Sequence, residues 1–180
     1  MSFFIAEVSS NHSKDLNRAL EFIDSAAEIG CDAVKFQLFK VEKLFAPEIL
    51  DKSKKHRDRK DWELPLNFLP ILHERCIKNK IQFSCTPFYL DAVSELEPYV
   101  SFYKIASYEL LWDDLLKKCA LTGKPVIIST GMANIEEIKH AVSILRKHGC
   151  EPKVLHCTSA YPTPHHQANL KAISTIREAI

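Results

Sequence analysis

The stretch Phe3-Phe4-Ile5-Ala6-Glu7-Val8-Ser9-Ser10-Asn11-His12 decides the fold. Its apolar run, Phe3–Val8, predicts a short strand. A helix is expected next, over Lys14–Ile29, with Ser13 as N-cap and Gly30 closing it. Leu16, Leu20, Ile23 and Ala27 share one face of that helix. A strand followed by a helix opens both a dinucleotide-binding fold and a (β/α) barrel. The first of these requires G-x-G-x-x-G in the turn, so that the backbone can approach a pyrophosphate. Ser9-Ser10-Asn11-His12 contains no glycine, and the turn argues against that fold.

Working outward, the same alternation continues. Further strands are predicted over Asp32–Leu38, Ile81–Cys85, Ser101–Ile105, Pro125–Ser129 and Lys153–Cys157. Helices are predicted from Pro65 to about Lys78, over Phe88–Leu96, over Leu111–Leu121 ending at Gly123, over Ile135–Lys147 between Asn134 and Gly149, and over Asn169–Ile180. Such alternation implies a parallel sheet covered by helices. Polar residues recur at the C-terminal ends of the strands: Glu7, Lys35, Gln37, Thr86, Lys104, Ser107, Ser129, Thr130, Thr158 and Ser159. A barrel gathers its active site at that end from many strands. The expected class is therefore α/β, the N-terminal portion of a (β/α)8 TIM barrel with six βα units. A complete barrel takes about 250 residues and eight strands. Residues 1–180 are expected to form one partial barrel domain with unpaired strand edges.

Composition narrows the function class. The hydrophobic fraction of 46% can build a substantial core, and a net charge of +1 argues against a dedicated nucleic-acid or anionic-membrane surface. No apolar run reaches the ~18–20 residues of a membrane span, and no signal peptide is evident. The six cysteines form no C-x-x-C pair and read as reduced, buried thiols of a cytoplasmic protein. Phe39–Leu64 breaks the alternation with a charge run, Asp51–Asp61. It reads as a solvated loop, or as a lid that encloses an anionic substrate.

Lys35 and Lys104 are lone cations at strand ends, and a lysine in a barrel mouth is costly unless it meets an anion. With Ser107, Ser129 and Thr130 they suit a small ligand bearing phosphate and carboxylate; snorkelling or pairing with Asp32 or Glu109 is the plain alternative. Gly131, in Ser129-Thr130-Gly131-Met132, lets backbone N–H groups approach an oxyanion. Glu7 and Glu109 are acid/base candidates, or salt-bridge partners of the lysines. His12 reads as a surface or capping residue as readily as a catalytic one. His156 reads as packed, and the adjacent His165 and His166 diverge too much to chelate.

Six segments together resemble the N-acetylneuraminate (sialic acid) synthase family, with its pseudaminic and legionaminic acid relatives. They are Ile5–His12, Asp32–Gln37, Phe83–Phe88, Tyr103–Glu109, Ile128–Met132 and Leu155–Pro164. The resemblance implies a cytoplasmic transferase that condenses phosphoenolpyruvate with an N-acetylmannosamine-like amino sugar, giving a nonulosonic acid and phosphate. It implies Mn2+ or Mg2+ in the complete enzyme, which is expected to be a homodimer. It places Lys35, Thr86 and Lys104 on phosphoenolpyruvate, and Ser107, Ser129 and Ser159 around its phosphate. Glu7, Gln37 and Tyr161 would face the sugar, and Glu109 the reacting carbons. The family often has Asn where Ser159 stands. Its metal-binding histidines lie in Ser-Asp-His and Glu-Lys-His or Glu-Arg-His segments, which do not occur here, so no metal ligand is expected among these 180 residues. The last strands and the arginine-bearing antifreeze-like domain are expected to be absent too. The alternatives are a 3-deoxy-octulosonate or heptulosonate type of synthase, and a non-catalytic partial barrel that binds a phosphorylated ligand.

Overall fold

Strands buried on both faces read as nearly continuous apolar runs, and Ala33-Val34-Lys35-Phe36-Gln37-Leu38 is such a run interrupted by two polar residues. In the computed structural model, which describes residues 2–180, this run is a parallel strand with a neighbour on each side. The residues group into two compact units, one ending at Ser101 and the other Phe102–Ile180.

The first unit begins with β1 (Ile5–Ser9), α1 (Leu16–Glu28) and β2 (Ala33–Leu38). The helix starts two residues later than expected: Asp15, not Ser13, is the N-cap, and its carboxylate accepts the Arg18 N–H. Ser13 is unsuited because its φ of 50° lies in the left-handed region. Ala19, Ile23 and Ala26 form the buried stripe of α1.

The charged stretch that read as a loop is instead a series of short helices: α2 (Val41–Leu44), α3 (Pro47–Lys52), α4 (Lys54–Arg57) and a 3-10 turn (Asp58–Trp62). Pro47 sits in the first turn of α3, where its missing N–H costs nothing. The Arg59 guanidinium lies over the Phe45 and Trp62 rings at 5.3 and 5.5 Å, and Lys60 pairs with Glu42 at 2.7 Å. The chain continues through a 3-10 turn (Leu66–Phe68) into α5 (Leu69–Lys78), then β3 (Gln82–Pro87) and α6 (Leu90–Leu96).

Strand β2 lies between β1 and β3, with Lys35 opposite Glu7 on one side and Ser84 on the other. Helices α1 and α5 are tied by Arg75, whose Nε–H donates to Asp24 at 2.7 Å. Phe36 and Phe83 meet at 5.9 Å, and Leu69, Leu72 and Leu96 of the same unit are buried too. Each such buried side chain contributes roughly 1.5–3 kcal/mol.

The second unit contains β4 (Phe102–Ile105), a 3-10 turn (Ser107–Glu109), α7 (Asp113–Leu121), β5 (Val126–Ser129), α8 (Ile135–Lys147), β6 (Lys153–Leu155) and α9 (Ala172–Ala179). Strand β5 pairs in parallel with β4 and β6. Leu115, Leu116 and Cys119 of α7 and Ile138, Val142 and Leu145 of α8 are buried. Helix α8 has the predicted bounds because its signals are local. Asn134 Oδ1 accepts the Glu137 N–H, and the Glu137 carboxylate accepts the Asn134 N–H. Asn134→Ala is expected to cost about 1 kcal/mol of unfolding free energy, read from urea melts.

The described residues thus hold six parallel strands, three in each unit, each followed by a helix. Among them no helix is long and apolar enough to cross a membrane. Cys76, Cys85, Cys119 and Cys150 are buried free thiols, and Cys31 and Cys157 are half-buried.

Candidate functional site

Alternation along a strand sends Lys35 and Gln37 to the same face of β2, opposite to Phe36. The Lys35 side chain is 4% exposed. A buried ammonium must be paired, and Lys35 forms an ion pair with Glu7 and donates to Thr86 Oγ1 at 3.2 Å. The first unit therefore gathers Glu7, Lys35 and Thr86 at its strand ends, with Gln37 in register beside Thr86. The Glu7 side chain is 46% exposed, so one end of the ion pair faces solvent.

The loop that follows β1 corrects one expectation. His12 is fully buried rather than superficial. Its Nδ1 accepts the Lys14 N–H at 3.0 Å, and the ring lies against Phe36 at 6.2 Å. Burial, and then the charge of Lys14, hold the imidazole below its ordinary pKa. Neither a surface nor a helix-capping role holds, since the ring is buried and Asp15 caps α1. A single sequence gives no sign that a polar turn will fold back over the sheet.

In the second unit, the Lys104 ammonium donates to Ser129 Oγ at the ends of β4 and β5. Ser107 Oγ accepts the Gly131 N–H at 3.0 Å. A Cβ placed on Gly131 would lie 2.2 Å from Ser159 Oγ and 2.9 Å from Ser107 Oγ. Three serine hydroxyls, an ammonium and a backbone kept bare by glycine make a donor-rich cradle suited to an oxyanion. Gly131→Ala would displace both hydroxyls, break the Gly131 N–H bond to Ser107 Oγ and press on the Ser107 Cβ at 3.3 Å. The expected outcome is a fold weakened by about 1–3 kcal/mol and a markedly lower affinity for phosphate-bearing ligands, read by thermal melts and titration calorimetry.

Glu109 is 9% exposed, and its Oε2 has no hydrogen-bond partner among the described residues. Burial raises its pKa to about 7, only partly offset by a backbone hydrogen bond. Tyr161 stands 98% exposed. Thr130 is spent on structure, its hydroxyl donating to the Leu155 carbonyl at 2.8 Å. His156 is the packed residue expected, its ring hydrogen-bonded through Nε2 to the Ala168 carbonyl at 2.8 Å. Exposed His165 and His166 lie in a 3-10 turn. Among the described residues no three His, Cys, Asp or Glu side chains converge in a way that could hold a metal ion.

Residues 22–180 match the NeuB family. The chain belongs to that family. It is 38% identical to the N,N'-diacetyllegionaminic acid synthase of Campylobacter jejuni, over 99% of this chain and 58% of that protein. It is 33% identical to the pseudaminic acid synthase of Helicobacter pylori, over 97% of this chain and 55% of that one. Among solved structures, the N-acetylneuraminic acid synthetase of Leptospira borgpetersenii matches 99% of this NeuB-family chain and 61% of its own, with a TM-score of 0.92 and 37% identity. The chain spans about half the length of the curated relatives it matches.

Proposed function

We propose that this chain is the phosphoenolpyruvate-binding portion of a sialic-acid-type synthase. In this reading the complete protein joins phosphoenolpyruvate to an N-acylated amino sugar. The cradle around Gly131 is the observation that carries the proposal, because Lys104, Ser107, Ser129 and Ser159 offer what a phosphate dianion needs. A buried carboxyl belongs to the same unit. With a pKa of about 7, Glu109 can hold a proton or accept one at neutral pH.

The roles follow from the chemistry. C3 of phosphoenolpyruvate attacks the aldehyde carbon of the open-chain sugar, water adds to C2, and the C2–O bond to phosphate breaks as the ketone forms. Lys104 and the serine hydroxyls hold the departing phosphate. Glu109 accepts one proton of the water that adds to C2 and passes it to the alkoxide formed at the former aldehyde carbon, and the remaining proton of the C2 hydroxyl leaves with the phosphate as the ketone forms. Lys35 and Thr86 serve the anionic donor, and Glu7 and Gln37 face the sugar, with Glu7 already oriented by Lys35. Tyr161, exposed in the free chain, would pack against the sugar. These residues do not make up a divalent-metal site. A Mn2+ or Mg2+ requirement of the complete enzyme would draw ligands from outside residues 2–180.

Phosphate release by the full-length protein tests the proposal. Release from phosphoenolpyruvate should require N-acetylmannosamine or a related acyl amino sugar. Turnover with aldose phosphates that lack the acylamino group, and with no acyl amino sugar, would overturn it.

A further inference from the structure

Strand β1 is not regular. Glu7 stands opposite Lys35 and Ser9 opposite Phe36, so two residues of β1 advance against one of β2. A bulge of this kind bends its strand and re-aims the side chains beside it. The side chain beside it here is Glu7, the exposed member of the ion pair with Lys35. Ser9 has a φ of 54°, and Ser13 and Lys14 in the loop that follows have φ of 50° and 56°. Left-handed conformations at non-glycine residues persist only where the surroundings over-determine them.

Those surroundings are explicit. The Asn11 N–H and the Asn11 Nδ2 both donate to the Val8 carbonyl at 3.0 Å, inside the bulge. Arg18 Nε donates to the Asn11 carbonyl at 2.6 Å. His12, fully buried, anchors the far side of the loop. Its Nδ1 accepts the Lys14 N–H at 3.0 Å, and its carbonyl accepts the Asp15 N–H at 2.8 Å. Its ring packs on Phe36, the residue that faces the bulge. Nδ1 accepts only in the neutral ring with its proton on Nε2, and burial favours that neutral form. The buried Nε2 finds no partner among the described residues. An apolar side chain would fill the same space without an orphaned donor. What it could not supply is the acceptor for the Lys14 N–H.

We propose that His12 is a positioning residue for the Glu7–Lys35 pair. Packed on Phe36 and bonded to the Lys14 N–H, it holds the β1 bulge in the register that sets Glu7 opposite Lys35. It acts through the loop and the strand rather than by touching substrate. Its effect on turnover rests on the reading above in which Glu7 faces the acceptor sugar.

The test acylates the lysines of the full-length protein and follows each by mass spectrometry, alongside steady-state kinetics. A buried, paired amine reacts only when its pair opens. Wild type is compared with His12→Leu, which fills the space but accepts no hydrogen bond, and with His12→Asn, whose Oδ1 accepts the N–H two residues on. In His12→Leu, acylation of Lys35 should quicken about tenfold while Lys104 keeps its rate. KM for the acyl amino sugar should rise about tenfold, and that for phosphoenolpyruvate by less, because β2 still fixes Lys35. In His12→Asn both readouts should stay within about threefold of wild type. That variant should nevertheless melt lower than His12→Leu, because it leaves a cavity. A merely structural role would give the opposite order. Unchanged acylation of Lys35 in His12→Leu, equal acceleration of Lys35 and Lys104, or failure of His12→Asn to restore both readouts overturns the proposal. Should His12→Leu not fold, Asn11→Ala carries the test from an exposed position, since it removes one bond to the Val8 carbonyl. It should quicken Lys35 and not Lys104, and no change at Lys35 overturns the proposal. Absence of turnover in the wild type, with Lys35 alone quickened in His12→Leu, overturns the synthase reading and supports the positioning role.

Discussion

Glu109→Gln is expected to lower kcat of the full-length synthase by about 10²–10⁴-fold, with a smaller rise in KM. The same substitution should make the folded chain more stable at alkaline pH. Both effects come from one carboxyl that is 9% exposed, with an Oε2 that no donor among the described residues reaches. Its folded pKa of about 7 stands above the ordinary 4.5, because burial disfavours the charged form. The folded state therefore keeps a proton that the unfolded state releases between those values. The stability this confers is complete below about pH 4.5, declines as pH rises toward 7, and is gone above it. Glutamine carries no charge and has no such dependence. At pH 8 the variant should exceed the wild type by a few kcal/mol, on the order of 3 at most, and near pH 4.5 the two should agree. Urea melts at the two pH values measure the difference. Parallel curves would mean that Glu109 finds a partner in solution, and the acid/base assignment would lose its basis.

The second large effect concerns the lysines. Lys35→Ala and Lys104→Ala should each weaken phosphoenolpyruvate binding by about 2–4 kcal/mol in the full-length protein, as expected for removing one member of a desolvated charge pair. Their effects on folding should differ. Removing Lys35 deprives Glu7 of its partner, but the Glu7 side chain is 46% exposed and water can replace it. Removing Lys104 leaves the Ser129 hydroxyl without its donor at a buried position, which costs about 1–3 kcal/mol. Direct titration of phosphoenolpyruvate, with thermal melts of each variant, separates binding from folding. Unchanged affinity in both variants would remove the lysines from the site.

What was legible in the sequence followed the range of the interactions. Helix α8 was readable to the residue because Asn134 and Glu137 cap it from within. The six strands were readable as apolar runs closed by polar residues, and their C-terminal ends supplied nearly all of the candidate residues. Gly131 was visible as a turn residue, but the hydroxyls around it come from Ser107 and Ser159, far apart in the chain. His12 was misjudged because the contact that buries it, with Phe36, spans the whole of α1. The segment after β2 was misjudged for a related reason. Its charged composition suggested solvent, while its order comes from Arg59 on Phe45 and Trp62 and from Glu63 on the Val41 N–H. The pKa of Glu109 was equally hidden, since burial sums over neighbours that no local pattern names.

The buried thiols have a consequence for kinetics. Cys85 lies in β3 between Ser84 and Thr86, fully enclosed, and burial drives its pKa far above the ordinary thiol value. Alkylating reagents attack the thiolate, so Cys85 can react only during excursions in which β3 parts from its neighbours. Cys76 and Cys119, each raised to about 12, are shielded in the same way within their own helices. The three sulfurs thus form a set of internal clocks, each timing the local opening of its own element. Because Thr86 adjoins Cys85, a ligand held by Lys35 and Thr86 would slow the clock in β3, while that in α7 serves as the reference within the same molecule.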